Sequence, residues 1–306
     1  MRIALIAHGD FGKAILEAFA AHGSTVAGIL RVGGDADALD AAAEGLAVPV
    51  HRVSSLGGDE AVAAVRAMDA DIAVLGFMGE APPPAILALP KHGALQIHAS
   101  LLPRYRGPTP VPWPIARGEV ETGVSVIRPT QRPYEGSVIL QRTCPIGPEE
   151  TQGELYRGEL ARLGVEALVT AAQLVMRGEH IEVDQDENAA TYEGAFGETE
   201  AEIHWASHAE IVHNLIRAAN PEPGAWTRLG GETLRILDVC LAAVHRADEA
   251  AGKPGEIVSV DRDGFAVAAP GGQIVVRRVR PEGGEAIPAA EFAKARGLAP
   301  GQRLGG

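Results

Sequence analysis

Apolar residues come in short runs that alternate with helical periods over the first third of the chain. Residues 2–7 form one run, and His8-Gly9-Asp10-Phe11-Gly12 follows it. Ala14, Ile15, Ala18 and Phe19 then recur at helical spacing, which predicts strand, turn and helix. The same alternation predicts strands over residues 25–30, 48–50, 72–77 and 94–97. Helices are predicted between them, over 36–43 and 59–68 and in a short segment opened by Pro82-Pro83-Pro84. Strands separated by helices at this spacing predict an α/β fold with a parallel, doubly wound sheet.

The pattern then changes. A Pro-rich loop leads to strands predicted over 123–127 and 138–144. Thr151-Gln152-Gly153-Glu154 reads as a capping box opening the longest helix, with Leu155, Leu160, Leu163, Leu168, Ala172 and Val175 on its inner face. Residues 182–202 are polar and aperiodic and read as a connector. Ser207-His208-Ala209-Glu210 reads as a second capping box, for a helix stopped by Asn220-Pro221-Glu222-Pro223-Gly224. Short β runs at 234–241, 256–260, 265–269 and 274–279 then predict a small barrel. The expected organisation is a domain over 1–182, a linker over 183–206 and a β domain over 207–306.

One stretch concentrates polar chemistry. Gln96, His98 and Ser100 lie where the strand at 94–97 ends, in Gln96-Ile97-His98-Ala99-Ser100-Leu101-Leu102-Pro103-Arg104-Tyr105-Arg106-Gly107. Ligands of open α/β sheets bind at strand ends. Proline fixes φ and stiffens the loop that follows. Read locally, the stretch is either a Pro-rich turn holding one histidine or the floor of a site. His8, Gly9 and Asp10 lie at another strand end, without the spacing of a dinucleotide fingerprint.

Composition narrows the partners. The 306 residues are 46% hydrophobic, enough for a full core, and carry a net charge of −13. That charge repels phosphate backbones, and the clustered basic run is confined to Arg277, Arg278 and Arg280. Two cysteines, Cys144 and Cys240, exclude a disulfide framework and are expected buried and reduced. The histidines show no metal-ligand spacing. The N-terminal apolar run is too short for a signal peptide or membrane span, so a cytoplasmic location is expected.

The chain resembles the formyltetrahydrofolate-dependent formyltransferases nearly end to end. Residues 96–107 look like the family's Asn-x-His-Pro-Ser-Leu-Leu-Pro-x-x-Arg-Gly signature, and Glu121-Thr122-Gly123-Val124-Ser125 like its following strand. Ala190-Thr191-Tyr192-Glu193-Gly194, Ile203-His204-Trp205 and residues 216–227 resemble its linker and the start of its C-terminal module. The resemblance implies a Rossmann-like folate domain, an OB-like barrel, 10-formyltetrahydrofolate or another tetrahydrofolate one-carbon form, and neither metal nor nicotinamide. It implies catalysis by Asn, His and a downstream Asp. Here His98 is kept, Gln96 stands at the Asn and Tyr134 at the Asp, in Tyr134-Glu135-Gly136.

The resemblance also places folate against Phe77, Met78, Gly79, Ser100, Leu101, Leu102, Pro103, Glu135 and Gly136. His8, Asp10, Arg104 and Arg106 are further candidates for substrate contacts. Glu135 is an alternative base but lies one residue out of register. Members that act on tRNA carry a long basic insertion after the second strand, where this chain has the short, acidic residues 31–37. The expected reaction is formyl transfer to a small molecule, or formyl hydrolysis. Methionyl-tRNA formyl transfer and a silent folate-binding protein are the alternatives, with tRNA disfavoured by charge.

Overall fold

The computed structural model describes residues 1–77, 82–243 and 252–305. They form two compact units, each assembled from three chain segments. The first comprises Met1–Pro110, Thr122–Cys144 and Arg157–Gly194, and the second Val111–Glu121, Pro145–Tyr156 and Ala195–Gly306.

The first unit is built on seven strands: β1 Arg2–Ile6, β2 Thr25–Val32, β3 Val50–Val53, β4 Ile72–Leu75, β5 Ala94–His98, β6 Glu121–Ile127 and β7 Val138–Pro145. Their order is β3-β2-β1-β4-β5-β6-β7. Every residue of β4 and β5 is buried, as continuous apolar runs covered on both faces require. Helices α1 Gly9–Ala21, α2 Ala38–Gly45, α3 Asp59–Ala67 and α4 Pro84–Leu87 connect the first five strands. These strands are parallel, as expected. β6 is not: it runs antiparallel to β5. Only the five-residue α5, Pro112–Ala116, lies between them, too little to carry the chain back for a parallel crossover.

Helix α6, Gln152–Leu155, begins with the expected Thr151/Glu154 capping box. A π turn at Tyr156–Leu160 leads into α7, Ala161–Arg177, which stops at Gly178. The sheet order reverses direction between β1 and β4, which makes the ends of β1, β4 and β5 the natural cleft edge.

In the second unit, α8 spans Ala209–Ala219. The six-stranded sheet comprises β8 Ala225–Leu229, β9 Glu232–Ala243, β10 Ile257–Val260, β11 Phe265–Ala269, β12 Gly272–Pro281 and β13 Ile287–Pro288, and α9 spans Ala289–Arg296. The pairings among these strands are antiparallel. The predicted Ser207 capping box does not form. The cap is His208, whose Nδ1 accepts from the Glu210 N–H at 3.5 Å. The Ala209 N–H donates to the Pro270 carbonyl at 2.8 Å and so sets the helix start beyond Ser207. The hydrophobic pattern does not mark β8 or α9; α9 lacks a clear apolar stripe, burying only Ala289, Phe292 and Ala293. Cys144 is buried, and Cys240 is half-buried rather than fully enclosed.

Candidate active site

His98 is the last residue of β5 and is only 5% exposed. Its Nε2–H donates to the Tyr105 carbonyl at 3.0 Å, which fixes the tautomer, because a carbonyl only accepts. Burial pushes its pKa down to about 4, against a smaller upward pull from the Tyr105 carbonyl. The imidazole is therefore neutral at pH 7, with its Nδ1 lone pair uncommitted among the described residues. Gln96, two residues earlier and also buried, projects to the same side of the sheet.

The loop after β5 is held by a dense set of bonds. Ser100 Oγ donates to the Arg104 carbonyl at 2.8 Å, and Ser125 Oγ donates to the Ser100 carbonyl at 2.6 Å. Ser125 Oγ also accepts from the Leu102 N–H and from Gln141, whose amide reaches the Leu102 carbonyl as well. Ser100 and Leu102 are thus occupied in holding the turn. Leu101 and Pro103 are half-buried at its surface. Gly107 is fixed by space, since a Cβ there would stand 2.0 Å from the Glu193 carbonyl oxygen.

Tyr134 faces His98. Their rings lie 5.1 Å apart at 49°, and Tyr134 packs against Leu102 and Ile127. Its backbone is left-handed, with φ +67°. Burial, and then the neighbouring Tyr192, push the phenol above its ordinary pKa, so it stays protonated. A neutral aromatic that can donate or accept a hydrogen bond therefore stands beside His98.

The segment expected as a connector forms a wall of this site. Val183 exchanges both backbone hydrogen bonds with Val138, at 2.8 and 2.9 Å. Gln185 Nε2 donates to the carbonyls of Tyr134 and Gly136 at 2.7 and 2.8 Å. Its Oε1 accepts from Arg106 Nε and Nη2. Arg106, a substrate candidate by sequence, is buried and turned onto Glu187, which it meets through two nitrogens at 2.7 and 2.9 Å. Glu187 raises the Arg106 pKa, and Arg106 holds the Glu187 carboxyl below its ordinary range. A substrate anion would have to displace this pair. Gln185, Thr191 and Tyr192 were missed as site-building residues, for they sit in a polar stretch without period.

The other candidates scatter. His8 and Asp10 are exposed where β1 meets α1. There the Gly9 N–H donates to the Asp37 carboxylate at 2.7 Å, which places the chain's own anion at the turn. Phe77, at the end of β4, stacks on Phe11 with centroids 4.2 Å apart. Met78 and Gly79 lie outside the described residues. Arg104 is exposed and bonds the Tyr105 hydroxyl at 3.1 Å. Glu135 is paired with Arg132 at 3.0 Å. Gly136 is required by space: a Cβ there would stand 1.6 Å from the Arg128 carbonyl oxygen. No cluster of metal-binding side chains occurs among the described residues.

A Rossmann-type unit with a neutral, carbonyl-anchored histidine at a strand end, together with an antiparallel second unit, defines the class of architecture. The sequence comparisons define the family. Residues 1–172 match the formyl transferase family, and residues 197–297 match the formyl transferase C-terminal domain. The chain belongs to the formyl transferases.

It is 34% identical to a methionyl-tRNA formyltransferase of Moorella thermoacetica, over 100% of this chain and 99% of that protein. It is 36% identical to one of Hydrogenovibrio crunogenus, over 84% and 81% of the two. Among solved structures it is similar to HypX from Aquifex aeolicus in complex with tetrahydrofolic acid. That match has a TM-score of 0.69 at 18% identity, covering 96% of this chain and 47% of that one. It is also similar to WlaRD, a sugar 3N-formyl transferase crystallised with dTDP and 5-N-formyl-THF, at a TM-score of 0.67 and 16% identity over 90% and 97%. These likenesses establish a formyltransferase fold and an enzyme of formyl transfer.

Proposed function

We propose that this enzyme takes a formyl group from a tetrahydrofolate donor and passes it to a small-molecule amine or to water, with His98 as the base. The observation that carries the reading is the state of His98: buried, neutral, and anchored through Nε2–H so that Nδ1 is left to accept a proton. The groups at the strand ends suit a folate donor. Phe77 offers a flat apolar wall, Gln96 and Tyr134 offer polar groups beside His98, and residues 100–103 form a rigid edge. The donor supplies a formyl group on N10.

The acceptor nitrogen, or water oxygen, bonds to the formyl carbon, and the carbon–N10 bond breaks. His98 Nδ1 takes the acceptor's proton and returns it to the departing nitrogen. Negative charge developing on the formyl oxygen must be met by donors. With Nε2–H committed to Tyr105, those donors are the Gln96 carboxamide and the Tyr134 phenol. Without the family Asp, no carboxylate among the described residues pairs with His98 to stabilise an imidazolium, so the proton is held only transiently.

Methionyl-tRNA formyl transfer is the second reading, favoured by the names of the curated relatives. Against it stand the short, acidic 31–37 loop and the excess of acidic over basic residues in 195–306. Arg31, at the base of that loop, is buried against Asp37 and Asp40 instead of being free for phosphate. Loss of 10-formyltetrahydrofolate, followed by absorbance, separates the two. Turnover with water or a panel of small primary amines supports the first reading. Turnover confined to initiator methionyl-tRNA establishes the second, and no turnover in any mixture overturns both.

A further inference from the structure

We propose that the second unit carries its own ligand site, for a small anion bearing a phosphate or carboxylate group. A cavity of about 300 Å³ lies between residues 202–206, the end of β8 and residues 303–305. Its lining includes two exposed arginines, Arg228 and Arg303. Each is steadied by one backbone carbonyl. Arg228 Nη1 donates to Gly231 at 3.1 Å, and Arg303 Nη2 donates to Pro254 at 2.8 Å. Arg228 also lies over the Trp226 ring, 5.7 Å from its centroid. A guanidinium has five N–H donors in a fixed fork, so most donors of both side chains remain available to a planar or tetrahedral anion.

Both arginines line one cavity without being neutralised by a carboxylate of the described residues. Arg31, Arg106, Arg128 and Arg235 are each met by a carboxylate in this acidic chain. Neither Arg228 nor Arg303 has an ion-pair partner among the described residues. Glu202 lines the same cavity and pairs with neither. The walls are firm. The buried Trp205 donates through Nε1 to Thr227 Oγ1 at 2.9 Å, and Gly305 N–H donates to the Arg228 carbonyl at 2.8 Å. Exposed His204 adds a further polar group at the rim. The volume is at the small end for ligand pockets and suits a phosphorylated polyol or a hydroxy acid. The Glu202 carboxylate favours an anion that carries a hydroxyl or amine at its other end, and it weakens bare polyanions.

Calorimetric titration of the full-length protein with glycerol 3-phosphate, malate and neutral glycerol tests the site. Saturable binding of glycerol 3-phosphate or malate, but not of glycerol, is expected, and the stronger of the two identifies the anion class. Arg228→Ala and Arg303→Ala are each expected to weaken binding at least tenfold, and Glu202→Gln to tighten inorganic phosphate. Both arginines are exposed, and unchanged thermal unfolding confirms that the variants fold. Arg262→Ala, at an exposed arginine paired with Asp263, is expected to leave binding unchanged. Absence of saturable binding by both anions, or equal affinity in the Arg228→Ala/Arg303→Ala double variant, overturns the proposal.

Discussion

At the scale of single residues, the site depends on where protons and space are fixed. The signature around His98 was legible because its residue types and spacing are specific. The tautomer was not legible, since it is set by the Tyr105 carbonyl, a backbone group that no pattern reports. In the proposed reaction this tautomer leaves Nδ1 to accept the proton and leaves oxyanion donation to Gln96 and Tyr134. Gly136 illustrates a positional requirement set by packing alone. With the Arg128 carbonyl oxygen 1.6 Å from the position of a Cβ, Gly136→Ala must displace backbone. It is expected to cost roughly 1–3 kcal/mol or more, read as a lower midpoint in urea unfolding. An unchanged midpoint would show that the 128–136 loop is not held as described.

At the scale of elements, the parallel half of the sheet and the long helix were readable from hydrophobic period and caps. Besides β8 and α9, three features were not. The reversal at β6 follows from the lack of a crossover helix. The late start of α8 follows from the Ala209–Pro270 bond, a contact between residues distant in sequence. The segment over 183–194 has no periodicity because its role is polar: it supplies hydrogen bonds to other loops instead of a buried face. Gln185 is its central member, with donors on Tyr134 and Gly136 and its acceptor on Arg106. Gln185→Leu leaves those buried carbonyls unmet, at an expected cost of about 1–3 kcal/mol. As a positioning residue, it should lower kcat more than it raises KM, because Tyr134 shifts while the rest of the cleft remains. A change in stability with kcat and KM both unaltered would assign it a purely structural role.

At the scale of the whole molecule, family membership runs along the full chain, and so does the acidic charge that sets it apart from a phosphate-binding surface. Its stability should carry the signature of His98. The folded-state pKa of about 4 lies below the ordinary 6.5, so the unfolded chain binds the proton first as pH falls. The contribution is fully present above pH 6.5 and is lost progressively toward pH 4, amounting to on the order of 3 kcal/mol. Urea unfolding at pH 7 and pH 5 should therefore show a smaller loss on acidification in His98→Asn than in the native chain. Equal losses would mean that His98 titrates normally and is not enclosed.

The central claim is that this enzyme moves a formyl group at His98 without the family carboxylate. Single-turnover consumption of 10-formyltetrahydrofolate by the native protein and by His98→Asn tests it most directly. The account predicts native turnover, a fall of roughly 10²–10⁴ in the rate with His98→Asn, and tetrahydrofolate binding retained within a few-fold. Turnover by His98→Asn within tenfold of the native rate would contradict it.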